Sequence, residues 1–358
     1  MAITALGLIL LMALFVANVQ MVLIGLVPLV FAGLCTLGTL GLMDRAPGLP
    51  VLMFAATILG VSAGLPLIII RGYQRYQRLD HADLGITYMA VCLFAGASLV
   101  GFGALMDASH SLLKDIGIVT FLGIGYAFIG SLLILPPLLK KRFDTIPADT
   151  GGVAWRYRNM TPFPRMAARY KLHVDPLLGE LETLVPQKAD MANLLEVGCG
   201  FGIIACWLAD KYPTATIHGI EADAEKLRFA ALALGDRGRI TQGQAPHLPS
   251  MDVLLDLVIM LDVSHCLEDW EMKKTLERIH ERLLPGGLLI MRSIMKPPAS
   301  PHWLWHRTHL LFKKKGGCDC YRGQASLLSM LAKCGFETVT TGTSGKRAER
   351  YWHVAKPR

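Results

Sequence analysis

Long hydrophobic runs fill the first 140 residues of the chain, whereas shorter runs separated by polar residues fill the rest. Five apolar segments lie at about 3–19, 21–43, 49–70, 84–106 and 116–139. Nearly all of them reach the ~20 helical residues that cross a hydrocarbon core. The pattern predicts a membrane domain of five transmembrane helices at residues 1–142, an interfacial linker and lead-in helix at 143–185, and a further domain at 186–358.

Beyond residue 190, short β-rich runs alternate with amphipathic helical segments. Strands are predicted at 194–197, 216–220, 239–242 and 257–261, then after the Pro-Gly-Gly turn of LLPGGLLIMR, and finally at 336–341 and 351–355. Helices are predicted from about 203, at 270–284 and at 323–333. Strands that alternate with helices predict a doubly wound, parallel sheet with a ligand at the carboxyl ends. The two strands at the end of the chain bring the number to seven and allow a reversed last strand.

Composition and charge place the first part of the chain in lipid. Hydrophobic residues make up 53% of the sequence and the mean hydropathy is +0.42. The net charge of +8 belongs to residues 140–358, because five cations and five acids balance before them. Cations follow the third span (Arg71, Arg75, Arg78) and the fifth (Lys140, Lys141, Arg142). The C-terminal ends of these two spans are therefore expected in the cytoplasm. We therefore expect a multi-pass protein of a bacterial inner membrane, with its second domain cytoplasmic and no nucleic-acid partner.

The segment between the two domains mixes cations with aromatic residues and prolines. Trp155, Tyr157 and Phe163 lie among these cations. Such a composition suits the headgroup layer of a membrane. A solvated connector is the alternative interpretation.

A glycine-rich turn follows the first predicted strand, in the stretch Leu194–Gly202, LLEVGCGFG. Glycine tolerates positive φ and lets main-chain N–H groups face a polar ligand. The spacing differs from the G-x-G-x-x-G dinucleotide fingerprint. It resembles motif I of the class I S-adenosylmethionine-dependent methyltransferases, which have a Rossmann-like fold. The resemblance implies S-adenosyl-L-methionine as cofactor, held by Glu196, Gly198, Cys199, Gly200 and Gly202.

Further cofactor-binding residues are expected along the sheet edge. Glu221 ends the second strand, where a carboxylate can accept both ribose hydroxyls. A helix-capping role is the alternative for Glu221, although Asp223 and Glu225 already serve it. The same resemblance places Ala222 beside the ribose site and Gln244 and Ala245 near adenine, with Gln244 where related enzymes usually have an acid. The segment Arg169–Leu181 resembles the lead-in helix of these methyltransferases, which implies that Tyr170, Lys171 and Asp175 lie over the cofactor. A plain amphipathic cap helix is the alternative interpretation.

Two residues after the fourth strand are candidates for catalysis. Methyl transfer to oxygen is helped by a general base, and His265 is the first candidate and Asp262 the second. Asp262 also lies at the cofactor edge, and a histidine here could equally serve packing. Cys318 and Cys320 fall short of four ligands, and the helically spaced His302, His306 and His309 fit an interfacial or lid segment better, so no metal is expected.

The membrane half resembles the last five helices of RND-superfamily, MMPL-like lipid exporters, in segments such as ILGVSAGLPLIIIRGYQR and LVGFGALMDASHSLLKDIGIVTFLGIGY. Gly64 stands where those exporters carry an intramembrane aspartate, which argues against self-sufficient transport. The expected function is a membrane-anchored methyltransferase that acts on a lipid-like or aromatic-acyl acceptor at the cytoplasmic face. The alternative is a non-catalytic cofactor-binding or regulatory module attached to a partial exporter, with exporter subunits as partners.

Overall fold

The computed structural model describes residues 6–7, 10, 12–13, 16, 18–44, 49–76, 82–144, 152–187, 191–249, 253–295, 320–345 and 350–358. The histidine-rich segment considered as a lid lies outside these residues. The chain forms two compact units. The helical unit comprises Met1–Thr150 with Arg158–Phe163, and the sheet unit comprises Gly151–Tyr157 with Pro164–Arg358.

Long apolar helices form the helical unit. They are α1 (Val19–Leu42), α2 (Leu49–Tyr76), α3 (Ala82–Gly103), α4 (Ser111–Leu133) and the short α5 (Leu135–Asp144). The hydroxyls of Thr39 and Tyr126 are 2.7 Å apart, which joins α1 to α4. The buried Gln74 donates to the carbonyl of Val16 at 3.1 Å. The beginning of α1 and the basic end of α2 therefore lie at the same end of this unit.

Three stretches of the described chain are long and apolar enough to cross a membrane: Val19–Leu42, Asp83–Asp107 and Ser111–Lys141. They coincide with the second, fourth and fifth predicted spans. The third predicted span is the helix α2, which is not among these three, and the first lies largely outside the described residues. Five transmembrane helices are therefore not confirmed.

The sheet unit begins with helices and continues as alternating strands and helices. Its leading helices are α6 (Gly152–Arg156), α7 (Pro162–His173), which belongs to this unit from Pro164 onward, and α8 (Leu177–Leu184). The remaining elements, in chain order, are β1 (Asn193–Val197), α9 (Ile203–Lys211), β2 (Thr216–Glu221), α10 (Ala224–Leu234), β3 (Gly238–Gln242), β4 (Leu255–Leu261), α11 (Asp269–His280), β5 (Leu283–Ile294), α12 (Gln324–Lys333), β6 (Phe336–Ser344) and β7 (Arg350–Pro357).

The seven strands form one mixed sheet in the order β3-β2-β1-β4-β5-β7-β6. The first five strands of the chain are parallel, and β7 is antiparallel to both of its neighbours. The predicted sheet with a reversed last strand is confirmed. Because β1 to β4 all end at the same edge, the residues that follow them come together there.

Apolar side chains on one sheet face pack against α11 and α12, for example Met260 and Met291 against Leu276 and Leu331. On the β7 side, the carboxylate of Glu180 in α8 accepts hydrogen bonds from Ser344 at 2.6 Å and from the Trp352 ring at 2.7 Å. The leading helices are thus fixed to the sheet by polar contacts as well as by burial.

Local geometry departs from the sequence-based expectation at three places. The lead-in helix expected at 169–181 is two helices, because Pro176 has no N–H and disfavours helical geometry in the residue before it. The helix expected at 270–284 ends at His280. The Pro-Gly-Gly stretch lies inside β5 instead of forming a turn before it, at a register shift opposite Leu255 and Leu257.

Candidate functional site

The glycine turn after β1 is built by main-chain hydrogen bonds to the next strand. The N–H groups of Gly198 and Cys199 both donate to the carbonyl of Ile220, at 2.9 and 3.0 Å. Gly198 has φ +74°, and a Cβ there would lie 2.5 Å from the Val263 side chain. Only glycine fits this position, and its close approach to Val263 brings the turn beside the loop that follows β4.

Gly200 lies at the open side of the turn. Its φ is +58°, and a Cβ built there would meet no heavy atom within 4 Å. Gly202 also has positive φ and precedes α9, whose first residue is Ile203. The turn therefore leaves open space in front of a main chain that leads into a helix N-terminus, which is favourable for a polar ligand.

Glu221, at the carboxyl end of β2, is bound to this turn. Its Oε2 accepts the N–H of Gly200 at 2.8 Å, and its Oε1 accepts the N–H of Asp223 at 2.9 Å. Asp223 itself caps α10 by accepting the N–H groups of Glu225 and Lys226. A carboxylate offers about four acceptor positions, so the half-buried Glu221 retains acceptor capacity for two further donors.

Glu196 lies beneath the turn and is almost completely buried. Burial raises the pKa of Glu196 to about 7, although the charge of Lys171 and the N–H of Ala205 act in the opposite direction. Its Oε2 has no hydrogen-bond partner among the residues that the structure describes. A buried acceptor without a donor can receive a hydrogen bond from a ligand at this site.

The other predicted cofactor residues lie at different depths around this turn. The Cys199 thiol is buried, burial raises its pKa, and its Sγ lies near Gly219, so only its main chain can face a ligand. Ala222 is half-buried after β2, Gln244 is exposed and Ala245 is buried after β3. On α7, Tyr170 is exposed, and Lys171 lies close enough to Glu196 and Cys199 to influence both pKa values.

Asp262 and the lead-in residue Asp175 share one buried cation. Arg292 of β5 donates from Nε to Asp262 at 3.1 Å and makes a second contact from Nη2, while Nη1 and Nη2 donate to Asp175 at 2.7 and 2.9 Å. Burial alone would raise the pKa of Asp175, but the hydrogen bonds and charge of Arg292 hold it below its ordinary value. Asp175 is thus committed to an ion pair, and Asp262 is a poor candidate for a general base.

His265 lies in the short 3₁₀ turn Ser264–Cys266 that follows β4, and its side chain is buried. Its ring stacks on Tyr321, with centroids 5.6 Å apart and ring planes 8° apart. The N–H of Cys320 donates to the carbonyl of His265 at 2.8 Å. The structure therefore fixes His265 by both ring and backbone at the edge that carries the glycine turn.

Sequence reasoning missed two arginines that shape this edge. Arg292 is a lone cation in an apolar strand, which is itself a signal, because a buried charge requires a partner. Arg322 donates to the carbonyls of Ser264 and Leu267, both at 2.6 Å, and to Asp269 at 2.7 Å, and so holds the loop that carries His265. The sequence offers no comparable signal for Arg322.

The site fits an adenosine cofactor with a cationic sulfonium and amino group. Three features of the site suit such a molecule. There is open space at Gly200, Glu221 can accept further hydrogen bonds, and Oε2 of Glu196 has no donor among the described residues. Among the described residues, no group of three or more His, Cys, Asp or Glu side chains could hold a metal ion.

Comparisons with known proteins agree with this geometry. Residues 195–289 match the family model described as "Methyltransferase domain". The chain is 29% identical over 116 residues to a trans-aconitate 2-methyltransferase of Deinococcus radiodurans, covering 32% of this chain and 42% of the relative. It is 29% identical over 112 residues to a fatty-acid O-methyltransferase of Mycolicibacterium smegmatis, covering 31% and 40%.

A third relative is a malonyl-[acyl-carrier protein] O-methyltransferase of Geobacter sulfurreducens, 35% identical over 81 residues, covering 22% of this chain and 30% of the relative. The chain thus spans less than half the length of each of these three relatives. The family match and the relatives nevertheless agree on one chemistry within the region that they cover. The sheet unit carries a class I methyltransferase domain whose cofactor is S-adenosylmethionine.

Proposed function

We propose that the whole chain is a membrane-anchored methyltransferase that methylates the carboxylate of a lipid-like acyl acceptor. The observation that carries the proposal is the 2.8 Å hydrogen bond from the N–H of Gly200 to the Glu221 carboxylate. It joins the open glycine turn to an acid with remaining acceptor capacity. This is the pair of groups that holds a nucleoside at the carboxyl edge of such a sheet.

The residues of this chain mainly bind and orient the reactants. Glu221 would accept the ribose hydroxyls, Glu196 would face the cationic end of the cofactor, and the exposed Gln244 could bond to adenine. S-adenosylmethionine supplies an activated methyl group and its own leaving group for an in-line displacement. Positioning by the fixed turn is therefore the main contribution of the protein to the rate.

An acyl carboxylate is the acceptor that agrees best with the relatives and with the catalytic edge. Two of the relatives are named for fatty-acid and malonyl-[acyl-carrier protein] O-methylation. A carboxylate is already ionised near neutral pH and needs no general base. Asp262, which is held by Arg292, is then not required as a base, and the buried His265 serves to orient the acceptor.

The helical unit supports a membrane location for this reaction. Three stretches can cross a membrane, and α1 and α3 expose large apolar side chains such as Leu34, Leu93 and Val100. Cations at the end of α2 and in α5 favour a cytoplasmic position for the sheet unit, in a bacterial inner membrane. In this proposal the exporter-like helices are an anchor that keeps the enzyme beside oily acceptors, and transport plays no part.

Radiolabelled methyl transfer tests the proposal in membranes that contain the full chain. Membranes are incubated with methyl-labelled S-adenosylmethionine and a long-chain fatty acid, and the lipid extract is searched for the methyl ester. Gly200→Arg should abolish labelling, because the side chain fills the open space before the turn. Gly286→Arg is the matched control, since Gly286 also has positive φ and open space. It lies near the start of β5, whereas the glycine turn lies at the carboxyl ends of the strands.

The two variants separate the competing outcomes. Labelling that is lost in Gly200→Arg and retained in Gly286→Arg, with equal membrane insertion, is the expected result. Equal labelling in all three proteins would contradict the proposal. Binding of the cofactor without transfer to any fatty acid would favour the non-catalytic module attached to a partial exporter.

A further inference from the structure

The helix α7 carries an exposed apolar face that its buried residues do not share. Met166, Tyr170 and Val174 are exposed by 59%, 43% and 68%, and their spacing places them on one side of a helix. Val174 continues the helical pattern, because its N–H donates to the carbonyl of Tyr170 at 2.9 Å. The inner side of α7 is buried through Pro164 and Ala168.

Positive charge borders this α7 face. Residues 164–174 contain two arginines and one lysine and no aspartate or glutamate, whereas Arg156 on α6 is paired with Asp210. Arg165 and Arg169 lie in successive turns, and burial together with the charge of Arg169 lowers the pKa of Arg165. Arg169 is exposed and Arg165 is half-buried. The charge of two neighbouring cations attracts an anionic surface.

The same helix reaches the cofactor site from its other side. Lys171 is close enough to Glu196 to lower its pKa, and Asp175, two residues after the end of α7, is held by Arg292 at 2.7 Å. A contact on the outer side of α7 would therefore touch an element that is fixed to the catalytic edge.

We propose that the exposed α7 face lies in the headgroup layer of an anionic phospholipid bilayer, an inference that rests on the proposed membrane location. An apolar stripe with arginines beside it is the composition of a helix that lies in the plane of an interface. A second copy of this chain is a poorer occupant, because it would bring two cationic faces together. The acyl acceptor would enter beside this helix.

Photocrosslinking in the full chain tests the contact directly. The photoreactive residue p-benzoylphenylalanine replaces Met166, and the protein is reconstituted in nanodiscs of phosphatidylcholine with or without phosphatidylserine. Val339 on β6 is the matched control, since it is an apolar residue exposed by 54% on the same unit. Leu93 on α3 is exposed by 65% and reports on the spanning helices. Intact mass spectrometry identifies the adducts.

Lipid adducts at Met166 and none at Val339 are the expected result. In the Met166-probe background, Arg169→Glu should reduce adduct formation in the anionic nanodiscs about fivefold or more, since each cation near an anionic surface contributes about that factor. Adducts at Leu93 and none at Met166 would overturn the α7 contact and leave the membrane anchor standing. Crosslinks from Met166 to a second copy or to another protein would also overturn it.

Methyl transfer is measured on the same preparations. Loss of transfer with adducts retained at Met166 would contradict the proposed function while supporting the α7 contact. Arg169→Glu should bind S-adenosylmethionine as the parent protein does, because the side chain of Arg169 is exposed.

Discussion

The guanidinium of Arg292 donates two hydrogen bonds to the carboxylate of Asp175, at 2.7 and 2.9 Å, although 117 residues separate them in the sequence. Both side chains are buried. The pair joins the start of α8 to β5, and the same guanidinium also holds Asp262 at the end of β4. One cation thereby links a leading helix to the edge of the sheet that carries the site.

Asp175→Asn should strongly destabilise the sheet unit. The substitution leaves a buried guanidinium with one carboxylate fewer, and breaking a buried pair costs about 3–5 kcal/mol. The amide oxygen can still accept the N–H of Leu177, whereas the amide NH2 replaces an oxygen that accepts from Arg292. Thermal unfolding of the purified full chain measures the loss of stability. Glu337→Gln is the control, because its pair with Lys356 is exposed and such pairs contribute less than about 1 kcal/mol. Equal melting temperatures for both variants would contradict this role of Arg292.

His353 should make the sheet unit sensitive to acid. Burial lowers the pKa of His353 to about 4, and neither ring nitrogen has a hydrogen-bond partner among the described residues. Its pKa in the unfolded chain is about 6.5. Between these values the unfolded chain binds more protons, so this residue's contribution to stability falls as the pH drops from 6.5 towards 4.

The apolar variant His353→Leu removes this effect. At pH 5 the histidine costs about 2 kcal/mol relative to pH 8, from the two pKa values. We therefore expect the variant to gain that stability relative to the parent protein as the pH is lowered from 8 to 5. Denaturation at several pH values measures the difference. A constant difference between the two proteins across that range would show that His353 does not titrate in this way.

His265 should affect acceptor binding more than the rate of methyl transfer. If the acceptor is a carboxylate, His265→Gln raises the KM for the fatty acid, leaves kcat within about tenfold, and keeps kcat independent of pH between 6 and 8. His280→Gln is the control, because His280 packs on Phe336 at the end of α11. A loss of kcat by about 100-fold or more, together with loss of the pH dependence of the parent's kcat, would instead identify His265 as a general base for a hydroxyl acceptor.

The centre of the sheet was predictable from sequence because β1 and β4 are short apolar runs followed by a glycine or an acid. The strand before Gly198, the acid Glu221 and the cap Asp223 all lie where local pattern places them. These features depend on neighbouring residues, which a sequence displays directly. The same is true of the helix break at Pro176, a local signal that the prediction of one lead-in helix passed over.

Long-range partners were not predictable in the same way. Arg292 is visible in the sequence as an isolated charge, but nothing near it indicates Asp175 as its partner. The Pro-Gly-Gly stretch reads as a turn, whereas it lies inside β5 as a bulge between Leu283 and Leu288, the two residues that pair with β4 on either side of the register shift. Gly287 fits there because a Cβ would lie 3.0 Å from the carbonyl oxygen of Leu255.

Calorimetric titration of the purified full chain with S-adenosylmethionine tests the cofactor site most directly. Glu221→Gln should raise the Kd at least about tenfold, because hydrogen bonds to a charged group are worth about 1.5–3 kcal/mol and the amide replaces one acceptor oxygen with a donor. Glu225→Gln, which changes an exposed acid one turn away, should bind as the parent protein does. Equal affinity of the parent protein and Glu221→Gln, or no binding by either, would contradict a cofactor held between Glu221 and the glycine turn.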